Sequence, residues 1–304
     1  MASAGQARVV VSGASGLVGR RLVTHLRAAG HRVGRLVRGS RVAEPGDVAW
    51  DPGRATIDAE ALEGAAAVVH LAGENVGAGR WTRAKKERIR KSRVRGTRLL
   101  VDALSGLSEP PRVLLSASAV GYYGDRADDW LDESSAPGQD FLAEVCQAWE
   151  AEAERAAQAG IRVARFRLGI VLAPEGGALG RMLPLFRWGL GGRLGSGRHY
   201  QSWITLHDVV RALEHALNDD QVHGPVNVVS PNPVTNAEFT HALGRALGRP
   251  AFLPAPACAL RLVLGELAGS VLSSQRARPS VLQRTGFEFA HPDLGPALRT
   301  LLAR

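Results

Sequence analysis

Cysteine is nearly absent: Cys146 and Cys258 are the only two in 304 residues. They stand far apart in unrelated patterns, which argues against a disulfide framework or a cysteine metal site and leaves two reduced thiols. Long apolar runs are also missing. No stretch reaches the ~18 residues that a membrane span requires, so no membrane partner is expected. Met1-Ala2-Ser3-Ala4-Gly5-Gln6 leads directly into an apolar strand without the apolar core of a signal peptide, and the expected location is cytoplasmic. Lysine occurs only at positions 85, 86 and 91. The net formal charge of +9 is therefore carried almost wholly by arginine. Such a charge raises nucleic acid as a partner. The distribution argues the other way: basic residues are scattered, and the densest run, 80–98, has helical spacing and includes Glu87, as a solvated helix face does. Part of the excess suits an anionic cofactor or substrate.

What is present is most informative near the N-terminus. Arg8-Val9-Val10-Val11-Ser12 reads as a short strand, Gly13-Ala14-Ser15-Gly16-Leu17-Val18-Gly19 follows, and a helical pattern runs to Gly30. A strand, a glycine-rich turn and a helix in that order form the dinucleotide-binding fingerprint. Gly13 suits the tight turn, Gly16 lets backbone approach a pyrophosphate, and Gly19 lets the helix pack closely. The phosphates would lie at the helix N-terminus, against its unpaired N–H groups, with Ser15, Gly16, Leu17 and Val18 as expected cofactor-binding residues.

Strands and helices then alternate. Residues 32–37, 66–71, 112–116 and 161–168 read as strands, and 82–104 and 140–159 as helices, the latter ended by Gly160. This order predicts an α/β fold, a Rossmann-type doubly wound parallel sheet. After Gly169 glycine and proline become dense. A helix at 206–217 and a strand at 225–229 are expected to return to the sheet. Helices at 235–247, 257–272, 278–285 and 292–302 predict a smaller, mostly helical C-terminal substrate lobe. The expected division is residues 1–168 as the dinucleotide domain, with 205–230 returning to it, and 169–304 as the substrate lobe.

The end of the second predicted strand distinguishes the two dinucleotides. An acid there would bind the ribose hydroxyls of NAD. No acid occurs between His31 and Ala43; Arg35, Arg38, Ser40 and Arg41 stand there instead. Guanidinium groups suit a 2′-phosphate, so NADP(H) is expected, with Arg38 and Ser40 first and Arg41 in support. Arg35, inside the strand, is read as solvent-facing.

Further blocks resemble the extended short-chain dehydrogenase/reductase family, in its atypical branch of NAD-dependent epimerase/dehydratase-like proteins. They are Val68-Val69-His70-Leu71-Ala72-Gly73-Glu74-Asn75, Ser116-Ala117-Ser118-Ala119-Val120-Gly121-Tyr122-Tyr123-Gly124, Phe141-Leu142-Ala143-Glu144-Val145-Cys146-Gln147-Ala148-Trp149-Glu150, Ser202-Trp203-Ile204-Thr205-Leu206-His207-Asp208 and Leu272-Ser273-Ser274-Gln275-Arg276. The last is similar to that group's DUF1731-type C-terminal segment. The resemblance implies that Leu71, Ala72, Gly73 and Ser116 line the cofactor, that Ser118 is the catalytic hydroxyl, and that His70 packs or hydrogen-bonds.

The resemblance also exposes a departure. The family's Tyr-x-x-x-Lys pair falls on Leu142 and Cys146, and neither can do its work: leucine has no proton and neutral cysteine no fixed charge. Tyr122 and Tyr123, expected on a loop at the cleft edge, are candidate proton donors or an aromatic wall; Glu144 and Cys146 are further candidates, Cys146 being read first as a buried thiol. Arg93 stands where the family has an asparagine and is read either as a cation beneath the cleft or as surface charge. Residues 174–202, with Arg181, Arg187, Arg193, Arg198 and His199, are expected to form a substrate loop suited to an anionic group. Trp188 and Trp203 are pocket walls or core, and Asp208 complements a helix N-terminus. Two functions follow: an NADP(H)-dependent oxidoreductase or nucleoside-sugar-epimerase-like enzyme acting on a small polar molecule, or a non-catalytic NADP(H)-binding sensor.

Overall fold

A computed structural model describes residues 7–39 and 44–303. The chain opens with β1 (Arg8–Ser12), α1 (Leu17–Ala28) and β2 (Arg32–Arg38), then β3 (Val48–Asp51), β4 (Thr56–Ile57), β5 (Ala67–His70) and the long helix α2 (Arg83–Ser105). β6 (Val113–Ala119) runs into one 3-10 turn, Val120–Tyr123, followed by β7 (Trp130–Leu131), α3 (Phe141–Glu154) and β8 (Arg162–Leu168). The second half holds β9 (Ile170–Ala173), α4 (Gly177–Arg187), β10 (Tyr200–Gln201), β11 (Trp203–Thr205), α5 (Leu206–Asn218), β12 (Gly224–Val228) and β13 (Val234–Thr235). It ends with α6 (Asn236–Leu247), α7 (Ala257–Leu264), α8 (Leu267–Leu272), β14 (Arg276–Ala277), α9 (Ser280–Arg284) and α10 (Leu294–Leu302).

Eight strands form one sheet in the order β12-β8-β6-β5-β1-β2-β3-β4. Its pairs are parallel except β3 with β4. This is the expected Rossmann-type doubly wound sheet. The period-two alternation of its strands explains why both faces are covered. Val9, Val11, Val69 and Leu115 pack under α1 and α5 with Leu22, Leu26 and Leu213, whereas Val10, Val68 and Leu114 face α2 through Leu100 and Leu104. Strand order reverses between β1 and β5, and ligands of such sheets lie at that switch point, outside the strands' carboxyl ends.

A further apolar cluster builds the second lobe from Leu183, Phe186, Trp203, Phe239, Leu243 and Leu298. The packing does not respect a cut after Leu168. Val281, Leu282 and Phe287 belong to the sheet's own core, and the fully buried Asp208 of α5 accepts from the N–H groups of Ala290 (3.0 Å) and His291 (2.9 Å), tying the C-terminal segment to the sheet. Several elements differ from the sequence reading, among them α4, which forms inside the expected loop 174–202. The helix expected at 257–272 is two helices, because Gly265 takes φ +62° at the end of α7. β3 and β4 were not expected, being too short for a two-residue period to register.

Candidate functional site

The glycine turn has three distinct jobs. Gly13 holds φ +67°, and a Cβ there would lie 2.8 Å from the carbonyl carbon of Leu71. Gly16 caps α1 in an ordinary extended conformation; a Cβ there would press on the backbone oxygen of Gly13 at 3.2 Å, and its remaining surroundings open on the space before the helix. Gly19 packs against the turn itself and not the strand: its Cβ would fall 2.2 Å from Gly13 O. Helix α1 has no side-chain N-cap and no acid in its first turn. Its first N–H groups, those of Leu17 and Val18 included, are left without helical partners at the positive end of the dipole. A cavity of about 1020 Å³ lies there, lined by Gly13, Ser15, Gly16, Arg38, Leu71, Ala72 and Gly73 among others.

Arg20 and Arg38 line that cavity and, among the described residues, form no ion pair. Ser40 and Arg41 lie outside the described residues. Arg35 is not the solvent-facing residue the strand position suggested. The backbones of Gly34 and Gly46 approach so closely that a Cβ on Gly34 would sit 2.3 Å from Gly46 O. This brings the buried Asp47 to Arg35, which donates Nε (2.9 Å) and Nη2 (2.6 Å) to it and also meets Glu44 at 3.1 Å. The hydrogen bonds to Asp47 hold Arg35 above its ordinary pKa. A second cavity of about 470 Å³ continues from Trp50 and Gly73 toward Arg88, Lys91 and Arg95 on α2.

His70 is fully buried and structural. Ser12 Oγ accepts from the N–H groups of Leu71 (3.0 Å) and Ala72 (3.2 Å), so its own proton points to His70 Nδ1 at 2.7 Å. Nε2 then donates to Thr97 Oγ1 at 3.0 Å. Burial, helped by the Arg93 charge, lowers the imidazole to about 4. The chain Ser12–His70–Thr97 thus shapes the backbone at Leu71 and Ala72 where the cavity meets β5. Sequence reading missed Ser12, although its place at the end of β1 was a signal.

Beside β5 a second buried network joins β6, α3, β8, β12 and the 3-10 turn. Ser118 Oγ donates to Glu150 Oε1 at 2.6 Å. Arg167 clamps the same carboxylate with Nε and Nη2, each at 2.9 Å. Arg167 Nη1 donates to the hydroxyl of Tyr123 at 3.0 Å, and that hydroxyl lies 2.7 Å from Asn227 Oδ1 and 2.9 Å from the Asp132 carbonyl oxygen. Both tyrosines stand on the 3-10 turn, not on an open loop. Tyr123 is fully buried, and burial pushes its phenol up to about 12 despite Arg167. Tyr122 is partly buried, with the Arg167 guanidinium carbon 3.5 Å from its ring centroid. Cys146 is buried on α3; burial, with the Glu150 charge near, pushes its thiol up to about 11. Ser116 is buried in β6, opposite His70. Arg167 carried no local motif, and Glu150 stood only as the last residue of the block 141–150 with no role assigned.

On the substrate side the arginines of 174–202 spread out. Arg181, Arg187, Arg193 and Arg198 are exposed, and Arg181 donates to the carbonyl of Gly77. His199 is buried. Trp203 is core, and Trp188 is 82% exposed. A cavity of about 650 Å³ lies instead between Trp81, Phe141 and Leu142 and the C-terminal residues Arg261, Gly269 and Ser273. No helix among the described residues is long and apolar enough to cross a membrane.

The turn, the reversal of strand order and the open helix terminus define a Rossmann-type dinucleotide-binding protein. A model of the NAD dependent epimerase/dehydratase family matches residues 9–229, and the chain belongs to that family. A domain of unknown function, DUF1731, matches residues 255–301. The chain is 47% identical to the epimerase family protein Mb2239 of Mycobacterium bovis, over 95% of this chain and 96% of that one. It is 38% identical to the human epimerase family protein SDR39U1, over 97% and 100% of the two chains. The crystal structure of that human protein (isoform 2) with NADPH superposes with a TM-score of 0.88 at 36% identity, covering 97% of this chain and 98% of the other. A nucleoside-diphosphate sugar epimerase from Corynebacterium glutamicum gives a TM-score of 0.80 at 38% identity, covering 97% of this chain and 58% of that chain.

Proposed function

We propose that this chain binds NADP(H) and acts as an oxidoreductase or epimerase-like enzyme on a small polar substrate. One observation carries the reading: the cavity at the switch point is lined by the uncapped N-terminus of α1 and by Arg20 and Arg38, which are free of ion pairs among the described residues. The residues fit the group. Gly16 leaves room for a pyrophosphate, the α1 N–H groups face it, and Arg20 and Arg38 suit a 2′-phosphate through charge-assisted hydrogen bonds. When bound, NADP(H) supplies the ring that gives or takes a hydride.

The remaining chemistry belongs to the chain. Ser118, buried and giving its proton to Glu150, keeps lone pairs that would accept from a substrate hydroxyl or from the Cys146 thiol beside it. Arg167 holds Glu150 in place and keeps the serine aimed. The 650 Å³ cavity over Leu142 is the proposed substrate pocket, and the human relative's NADPH complex supports the choice of cofactor. A second reading, a dinucleotide-binding sensor without turnover, draws on a specific observation: Leu142 is apolar, while the Cys146 thiol and the Tyr123 phenol both stay protonated well above neutral pH.

Calorimetry tests the first reading. NADPH is expected to bind more tightly than NADH, with Arg38→Ala narrowing the gap by about 1.5–3 kcal/mol, the range for a hydrogen bond to a charged group. Equal wild-type affinities for the two would overturn it. Hydride transfer with a panel of alcohols, ketones and nucleotide sugars separates enzyme from sensor.

A further inference from the structure

The face of α2 turned toward α3 carries a guanidinium that the reading above leaves unused. Arg93 lies flat against Gly73 at the end of β5: a Cβ on Gly73 would be 3.1 Å from its Cζ and 3.2 Å from its Nη2. Nη1 donates to the carbonyl oxygens of Glu74 (3.0 Å) and Ile89 (3.3 Å). The Cζ stands 5.0 Å from the Trp149 ring centroid, so one face of the group is backed by α3. Among the described residues no carboxylate pairs with it. The nearest acid, Glu74, gives its carboxylate to Lys85 at 2.6 Å and Arg88 at 3.7 Å, and only its backbone to Arg93. Burial draws the Arg93 pKa below its ordinary value, so the charge is held largely away from water without a matching anion.

A guanidinium has five N–H donors, and those on Nε and Nη2 have no partner among the described residues. Their place in the sheet says what they meet. β1, with the phosphate turn, lies between β2 and β5. Arg38 ends β2, so the adenosine half of a dinucleotide extends that way. Arg93 reaches the end of β5 on the opposite side of the turn, toward β6 and α3, where the other half must run.

Resting on the NADP(H) reading, we infer that Arg93 anchors the nicotinamide–ribose half of the cofactor, its free N–H groups donating to ribose or carboxamide oxygens there. Gly73 is then glycine for two reasons: it borders the cofactor cavity, and it leaves the guanidinium its seat. Arg93 is on this account a binding residue that fixes the reactive half, while Arg20 and Arg38 fix the phosphate half.

The test compares a whole cofactor with half of one. Affinities of NADPH and of adenosine 2′,5′-bisphosphate, which lacks the nicotinamide riboside, are measured by calorimetry for the wild type, Arg93→Met, Arg93→Gln and Arg93→Lys. Arg93→Met and Arg93→Gln are expected to weaken NADPH about tenfold or more and to leave the bisphosphate within about twofold of the wild type. Arg93→Lys is expected to recover part of the NADPH loss. If Arg93→Met does not fold, the Gln and Lys variants carry the same comparison. Wild-type NADPH affinity in folded Met or Gln variants, or equal losses of both ligands, would overturn the inference alone. A wild type that binds neither ligand would overturn the NADP(H) reading as well.

Discussion

Replacing Glu150 by leucine should destabilise the protein by about 3–5 kcal/mol, the usual cost of stranding one member of a buried ion pair. The structure supports the upper half of that range. Both partners are almost fully buried, at 3% and 4% side-chain exposure, and two hydrogen bonds of 2.9 Å join them. At an effective dielectric near 20 the attraction over ~4 Å is about 4 kcal/mol. Arg167 would keep Tyr123 and the Glu133 carbonyl oxygen, but neither neutralises it. Ser118 would also lose its acceptor. The double variant Glu150→Leu/Arg167→Met removes both charges and should lose less than either single variant, leaving a coupling energy of about 2–3 kcal/mol. Urea unfolding followed by both tryptophan fluorescence and far-ultraviolet circular dichroism gives the four stabilities, with coincident transitions as the check on two-state behaviour. A Glu150→Leu loss below about 1 kcal/mol, or a coupling near zero, would refute the claim that this pair holds β6, β8 and α3 together.

The glycine turn separates binding from folding. Gly16→Val should abolish NADPH binding at a modest cost in stability, because its Cβ would press only on Gly13 O at 3.2 Å, whereas Gly19→Ala, whose Cβ would fall 2.2 Å from the same oxygen, should lower the melting temperature further; a folded Gly16→Val variant with wild-type NADPH affinity would remove the turn from the site. His70 predicts an acid-limb loss of stability. Its folded pKa of about 4 lies below the unfolded 6.5, so its contribution is complete above pH 6.5, falls as pH drops to about 4 and is constant below, a loss of about 3 kcal/mol. An imidazole signal assigned to His70 that titrates near 6.5 by NMR would contradict this.

Much of the nucleotide side was legible in the sequence. Gly13, Gly16 and Gly19 each encode a local requirement, a positive φ, an open approach or a close contact, and all three act within one turn of chain. The missing acid after β2 was likewise a local fact. Arg35 was misread because its partner Asp47 arrives through the backbone contact of Gly34 with Gly46, which no strand pattern announces. The tyrosines were expected on a loop at the cleft edge. The chain instead closes into a 3-10 turn and buries Tyr123 against Asn227, a residue of a strand 104 positions on.

The sequence alone determined the order of strands and helices, the parallel sheet they must form and the turn that faces a phosphate. These follow from side-chain period and backbone dihedral preference, which are properties of a few consecutive residues. Only the tertiary structure decided which charges are spent and which remain free. Arg35 and Arg167 are consumed by Asp47 and Glu150, while Arg38 lines the crevice and Arg93, beside Gly73, forms no ion pair among the described residues. In sequence all four are arginines within regular elements, with nothing local to tell them apart. Their difference comes from which carboxylate the packing of distant elements brings within a few ångströms, because an ion pair depends on distance in space and not on separation along the chain.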